Sequence, residues 1–380
     1  MNHPTLTPCY HGGAFFDAIG PEFNRLDRRH NIIAADVLDA WFPPSPKVIS
    51  ALTEDLPWLL RTSPPTHCEG MIRVIARARG VRPESILPGA GSSDLIFLAF
   101  RQWLSPTSRV LILDPTYGEY AHVLAHVIGC RVDRWTLSRY DNYRVDLNEL
   151  ERQAQQGYDL IVIVNPNSPT GQFVPRLELE ASLRKLSTET LVWVDETYIE
   201  YAGPAQSLES FAAASKNILV SKSMSKVYAL SGARAAYLCG PPTVVAALRG
   251  ITPPWAVSLP AQVAAVAAMQ DPDYYAARYR ETNELRTELA EELEALTNWE
   301  VIPGIANFLL CHLPADGPNA ATLVKACRTH GLFLRDASVM GRSLGSHALR
   351  IAVKDRSTNR RMLNILALVL APPRHQLAAA

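Results

Sequence analysis

Four short apolar, β-branched runs do most to limit how this chain can fold: RVLILD (Arg109–Asp114), LIVIVN (Leu160–Asn165), LVWVDE (Leu191–Glu196) and NILVSK (Asn217–Lys222). Their apolar residues are consecutive rather than alternating, so both faces of each strand must be covered. Amphipathic stretches such as Asn148–Gln156 and Leu177–Leu186 separate them. Strands alternating with helices imply an α/β fold with a mainly parallel sheet and helices on both faces. Ligands of such sheets lie just beyond the C-terminal ends of the strands.

The chemically informative residues follow those ends. Asp114-Pro115-Thr116-Tyr117-Gly118-Glu119-Tyr120 follows the first run, and Asn165-Pro166-Asn167-Ser168-Pro169-Thr170-Gly171 the second. The third ends in Asp195-Glu196-Thr197-Tyr198, and the fourth leads into SKSMSKVYALSGAR, Ser221–Arg234. In that segment Lys226 is bracketed by small hydroxyl residues and stands eight positions before Arg234 (226 + 8 = 234). Such a lysine suits covalent attachment of an anionic carbonyl cofactor, with Ser223, Ser225 and Arg234 about its phosphate. An ordinary lysine amine, with a pKa of about 10.4, is protonated and poorly nucleophilic, so imine chemistry needs burial or neighbouring cations. The competing reading is a solvated lysine in a serine-rich loop.

A second phosphate candidate lies upstream. Gly89-Ala90-Gly91-Ser92-Ser93 opens the apolar-periodic LIFLAFRQWL, which places Ser92 and Ser93 at a helix N-terminus, where free N–H groups and the helix dipole favour an anion. The alternative is a plain serine cap. Asp94 at the last glycine position of G-x-G-x-x-G argues against a dinucleotide site.

With 380 residues the chain has room for more than one domain. We read an N-terminal arm over 1–45, a large domain over 46–254 and a smaller α+β domain over 255–380, after the linker signal Thr252-Pro253-Pro254-Trp255. The small domain is expected to hold an alanine-rich helix, the helix Pro272–Leu296, strands Val301–His312 and Ala348–Val353, and helices around Ala320–His330 and Asp355–Leu370. The tail HQLAAA is expected to fray. Equal counts of 37 basic and 37 acidic residues give no footprint for nucleic acid or an anionic membrane. The apolar stretch Ala256–Met269 is interrupted by Pro260 and Gln262, and MNHPTLTPCYHGG has no leader pattern, so a cytoplasmic protein is expected. Cys9, Cys68, Cys130, Cys239, Cys311 and Cys327 are scattered and expected to be reduced.

Together these motifs resemble the fold-type I pyridoxal 5′-phosphate (PLP) enzymes of aminotransferase class I/II, and within them the histidinol-phosphate aminotransferase and threonine-phosphate decarboxylase branch. The resemblance extends from His11-Gly12-Gly13 through Pro254-Trp255 to Arg350. It implies a seven-stranded type of sheet, PLP as cofactor, a homodimer and a small amino-acid substrate. It assigns Lys226 to cofactor attachment and proton shuttling, Asp195 to the pyridine N–H, Tyr198 to the phenolate oxygen and Tyr117 to the ring face. Gly91, Ser92, Ser93, Ser223, Ser225 and Arg234 would surround the phosphate, Arg350 would grip the substrate carboxylate, and Arg335 and Asn307 would stand near the substrate. Three departures stand out. Ser168 replaces the asparagine that precedes Pro-Thr-Gly, so Asn167 or the serine must serve. Arg61-Thr62-Ser63 lacks the tyrosine of the neighbouring subunit. Leu38-Asp39-Ala40-Trp41-Phe42 replaces an asparagine-rich motif, and its aromatic pair is a poor host for a phosphorylated substrate.

Transamination is the expected reaction, with α-decarboxylation as the alternative because of His11-Gly12-Gly13 and Pro254–Ser258; a catalytically silent regulator of the same fold is the alternative outside enzymes. Gly341-Arg342-Ser343-Leu344-Gly345 matches the serine-hydrolase elbow without a strong strand leading into it. His122 and His126 have zinc-like spacing but no acid between them, so no metal is expected.

Overall fold

The computed structural model describes residues 11–371. Cys9 and the tail HQLAAA lie outside the described residues, as does most of the N-terminal stretch read for a leader. The other five cysteines are free and buried. No helix among the described residues is long and apolar enough to cross a membrane.

In chain order the strands are β1 (Ile33–Ala34), β2 (Ile86–Gly89), β3 (Arg109–Asp114), β4 (Arg131–Thr136), β5 (Leu160–Val164), β6 (Leu191–Asp195), β7 (Ile218–Ser223), β8 (Ala236–Cys239), β9 (Glu300–Ile302), β10 (Phe308–His312), β11 (Leu332–Phe333), β12 (Arg335–Asp336) and β13 (Ala348–Ala352). Seven of them form one sheet in the order β2-β8-β7-β6-β5-β3-β4. The pairs from β7 through β4 are parallel, and β8 runs antiparallel to both of its neighbours. The four apolar runs are thus adjacent central strands, β3, β5, β6 and β7, and their C-terminal ends lie along one edge.

Side chains alternate across the sheet. Trp193 and Leu219 belong to the core on one face, while Val192, Val194, Ile218 and Val220 belong to the core on the other. By the same alternation Asp195 and Ser223 point to the first face, and Glu196 and Lys222 to the second. Helices close the layers. Glu69–Arg79 buries Met71, Ile72 and Ile75 and stops at Gly80, whose positive φ of 65° lets its N–H reach the carbonyls of Ala76 and Arg77.

A four-stranded antiparallel sheet, β12-β13-β10-β9, forms the smaller layer. The single strand expected over Val301–His312 is two strands, because Pro303-Gly304 breaks it. A Cβ on Gly304 would lie 2.9 Å from Gly171 Cα, and Ile305 N–H donates to Gly171 O at 2.7 Å. This close approach ties the small sheet to the loop after β5. The alanine-rich helix Leu259–Met269, expected with the small domain, instead packs on helices Pro46–Thr53 and Glu69–Arg79. Its alanines, buried on several sides, allow that close packing. Within the arm, β1 pairs in parallel with β11 of the C-terminal part of the chain.

Below the sheet the second face carries a buried ionic cluster. Lys222 Nζ lies 3.0 Å from Glu200, 3.4 Å from Glu196 and 3.8 Å from Glu209, and Arg79 reaches Glu200 at 2.7 Å. Burial disfavours the charged Glu200 carboxylate, but Lys222 and Arg79 override it and hold the group down at about 2. Removing one partner leaves charge stranded in the interior. Lys222→Met should therefore destabilise the protein by about 3–5 kcal/mol, read as a lower urea midpoint with an unchanged denaturant slope.

Candidate active site

One cavity collects residues from all four strand ends: Tyr117 after β3, Ser168 after β5, Asp195, Thr197 and Tyr198 at β6, and Ser223, Ser225, Lys226 and Arg234 at and beyond β7. Ser92 and Ser93, from the helix Ser92–Trp103, complete it. Lys226 and Asp195 thus share a cavity, which is the arrangement their assigned roles demand.

Asp195 forms its base. The residue is 4% exposed, and its carboxylate accepts from Tyr120 Oη at 2.7 Å, Thr197 N at 2.9 Å and Thr197 Oγ1 at 2.6 Å. Trp193 Nε1 donates in turn to Tyr120 Oη at 2.9 Å, fixing that hydroxyl. Burial pushes the Asp195 carboxyl above its ordinary range, against the pull of those donors. Among the described residues no cation lies within ion-pair distance of it. A carboxylate held like this suits a positive charge supplied from inside the cavity.

At the opposite side stands the anion cradle. Ser223 caps the short helix Met224–Val227 by accepting from Ser225 N at 3.3 Å. Arg234 Nη1 lies 3.0 Å from Ser231 O and 3.5 Å from Ser225 Oγ. The plain serine cap is not what the upstream motif forms: the cap of Ser92–Trp103 is Gly91, with no side-chain cap bond, so Ser92 and Ser93 sit in the first turn. Gly91 has a φ of +99°, and a Cβ there would fall 2.3 Å from Arg234 Nη2. Glycine therefore keeps room for the guanidinium beside a helix N-terminus. Ser93 Oγ donates to Glu119 at 2.9 Å and Tyr117 Oη to the same oxygen at 2.6 Å.

The small sheet adjoins this cavity through Ser168, and Arg335, Arg350 and Asn307 stand outside the residues that line it. Arg335 and Arg350 are register partners on β12 and β13, and both are buried. Arg350 donates to Ser168 Oγ at 3.1 Å and to Asp36 O at 3.2 Å, and burial lowers its guanidinium to about 10. Asn307 Nδ2 donates to Leu38 O at 2.8 Å. Among the described residues Arg350 Nε and Asn307 Oδ1 are buried without a hydrogen-bond partner.

Two expectations need correction. Asn167 does not reach the cavity, because its side chain is spent on Pro115 O at 3.0 Å and on Thr170 and Thr116; Ser168 is the residue that lines it. Trp41 and Phe42 do not stand over the crevice either. Trp41 Nε1 donates to Thr282 at 2.8 Å and Phe42 packs edge-on to Tyr275, both on the helix Pro272–Leu296. Their obstacle to a phosphorylated substrate is thereby removed. From this segment Asp39 faces Lys226, at 2.8 Å from Nζ. Tyr120, Thr197 and Glu119, from the motifs after β3 and β6, also belong to the site, the first two on Asp195 and the third on Tyr117.

The competing motifs are absorbed structurally. Ser343 Oγ donates to Asp114 at 3.1 Å, in a helical turn rather than a strand-to-helix elbow. His122 and His126 pack ring to ring at 5.8 Å, and no metal-binding group of three or more His, Cys, Asp or Glu gathers among the described residues.

The donor set fits PLP: a lysine amine for its carbonyl, a buried carboxylate for its ring nitrogen, and hydroxyls, a guanidinium and a helix N-terminus for its phosphate. The family model for aminotransferase class I and II matches residues 40–366, and the chain belongs to that family of PLP-dependent enzymes. It is 30% identical over 346 residues to a histidinol-phosphate aminotransferase of Rhodopseudomonas palustris, covering 87% of this chain and 89% of that one. Among solved structures, histidinol-phosphate aminotransferase from Sinorhizobium meliloti in complex with pyridoxal-5′-phosphate superposes with a TM-score of 0.80 at 23% identity, over 92% and 94% of the two chains. L-threonine-O-3-phosphate decarboxylase from Porphyromonas gingivalis gives 0.73 at 22%, over 86% and 99%.

Proposed function

We propose that the enzyme transfers the α-amino group of a small L-amino substrate, with Lys226 as the attachment lysine and Asp195 as the partner of the cofactor ring. The convergence of Lys226, Asp195 and the Ser/Arg cradle in one cavity carries this reading. PLP, when bound, supplies an electron sink for the α-carbon. The remaining work falls to side chains of this chain. Tyr117 and Val164 line the cavity and would flank the ring, and Tyr198, whose hydroxyl burial keeps protonated, would donate to its phenolate oxygen. Ser92, Ser93, Ser223, Ser225 and Arg234 hold the phosphate. Lys226 Nζ would take up and return the proton at the substrate α-carbon. Arg350 fixes the substrate anion by a two-pronged contact, with Arg335 beside it and Asn307 behind the segment that carries Asp39. Two buried arginines accept a carboxylate or a phosphate, so a phosphorylated amine such as the one named for the relatives suits this pair. Five free, buried cysteines fit a cytoplasmic setting.

The subunit pairs with a second copy. Ile49, Leu56, Trp58 and Leu60 are 45%, 42%, 48% and 70% exposed on the consecutive helices Pro46–Thr53 and Leu56–Arg61. Apolar side chains grouped in this way mark an association surface.

Purified protein mixed with PLP should develop a visible absorbance band that is missing from Lys226→Ala. With an accepted amino donor it should release oxo acid without stoichiometric CO2; CO2 without oxo acid would make it a decarboxylase. Leu60→Asp should shift the mass measured by light scattering from two chains toward one, and an unchanged mass would place the contact elsewhere.

A further inference from the structure

Lys226 has a charged partner. Its Nζ is 2.8 Å from Asp39 Oδ1 and 3.5 Å from Ser231 Oγ, and Ser231 Oγ donates to the same Asp39 oxygen at 2.6 Å. Asp39 belongs to no regular element, yet its position is built. Arg350 grips the carbonyl of Asp36 at 3.2 Å, Asn307 grips that of Leu38 at 2.8 Å, and Ser231 is itself tied to Ser225 O at 3.1 Å. The groups assigned to the substrate therefore hold the backbone that carries Asp39, and Ser231, just beyond the helix that carries Lys226, holds its carboxylate. Its side chain is 44% exposed, so the carboxylate is not sealed inside the protein.

Resting on the function proposed above, we propose that Asp39 binds the ammonium group of the incoming amino donor. The donor nitrogen must replace Lys226 Nζ at the same carbon, so it passes through the place that Nζ now occupies. A carboxylate already arranged to hold a primary ammonium there will hold another. Once the lysine nitrogen is committed to the cofactor, Asp39 no longer has the free lysine ammonium as its partner, and the donor supplies another ammonium. The step is a charge-assisted hydrogen bond, so no bond is made or broken at Asp39.

The surroundings favour a binder over a base. Burial works to raise the Asp39 carboxyl, but Lys226, Ser231 and Lys354 together hold it below its ordinary range. Lys354, after β13, faces both Asp39 and Asp36; Tyr198 is close enough to sense the Asp39 charge. A second cation beside Asp39 also disfavours a distal cationic group on the substrate. That makes the α-ammonium, whose position the chemistry dictates, the better occupant.

The test uses the PLP-loaded full chain. In Asp39→Asn the pH at which the lysine-bound cofactor band titrates should fall by about 1 unit, because a nearby carboxylate favours the protonated linkage. Alanine, glutamate and lysine share the α-ammonium and differ at the far end. For each that alters the band, Asp39→Asn should raise the half-saturating concentration by a similar factor of about tenfold or more, and Asp39→Glu should restore part of it. An unchanged titration midpoint would overturn the inference, and this arm needs no substrate. A loss confined to lysine would also overturn it, since Asp39 would then read a distal cation. If Asp39→Asn does not fold, Asp39→Glu must still displace the midpoint, and no displacement counts against the inference. Failure of the wild type to form a band that depends on Lys226 would instead refute the proposed function.

Discussion

The structure depends on a carboxylate buried at the end of a parallel strand. Asp195 has three hydrogen-bond donors, and burial raises its pKa above the usual carboxylate range. Such a group costs folding energy unless positive charge meets it. Tyr120, Trp193 and Thr197 hold it in one orientation, so the unfavourable charge is aimed into the cavity. A cofactor with a protonatable ring nitrogen restores the balance and gains affinity from it.

The same sheet carries opposite electrostatic solutions on its two faces. Behind it, Lys222 and Arg79 pair with three glutamates within the protein, and burial raises the Glu196 carboxyl above its ordinary range. In front, Asp195 lies at the base without a cation in ion-pair distance among the described residues, Arg234 is in the anion cradle, Arg350 and Arg335 are on the small sheet, and Lys226 pairs with Asp39. Adjacent residues serve the two purposes, Asp195 beside Glu196 and Lys222 beside Ser223, because alternation along a strand sends neighbours to opposite faces.

Much of this was legible in the sequence, for a physical reason. Strands covered on both faces must be apolar throughout, which made β3, β5, β6 and β7 plain and set the residues at their ends apart. The edge strand β4, RVDRWT, is polar and half exposed, and the short β2 and β8 lack room for a pattern. Side-chain choices inside loops were not legible. Whether Asn167 or Ser168 faces the cavity depends on how the loop turns, and it turns Asn167 toward Pro115 and Thr170. Likewise Trp41 and Phe42 follow the helix Pro272–Leu296, distant in sequence, and leave Asp39 facing Lys226. The helix Leu259–Met269 lies beyond a clear linker yet packs backward, since an alanine surface does not announce its partner.

The central claim is that Asp195 holds a positive charge on the cofactor ring. The most direct measurement compares the affinity of the wild type and of Asp195→Asn for PLP and for an analogue in which carbon replaces the ring nitrogen. The account predicts that the wild type favours PLP by about tenfold or more, as for a buried charge-assisted hydrogen bond, and that the substitution erases this preference. Equal preference in both proteins would contradict it.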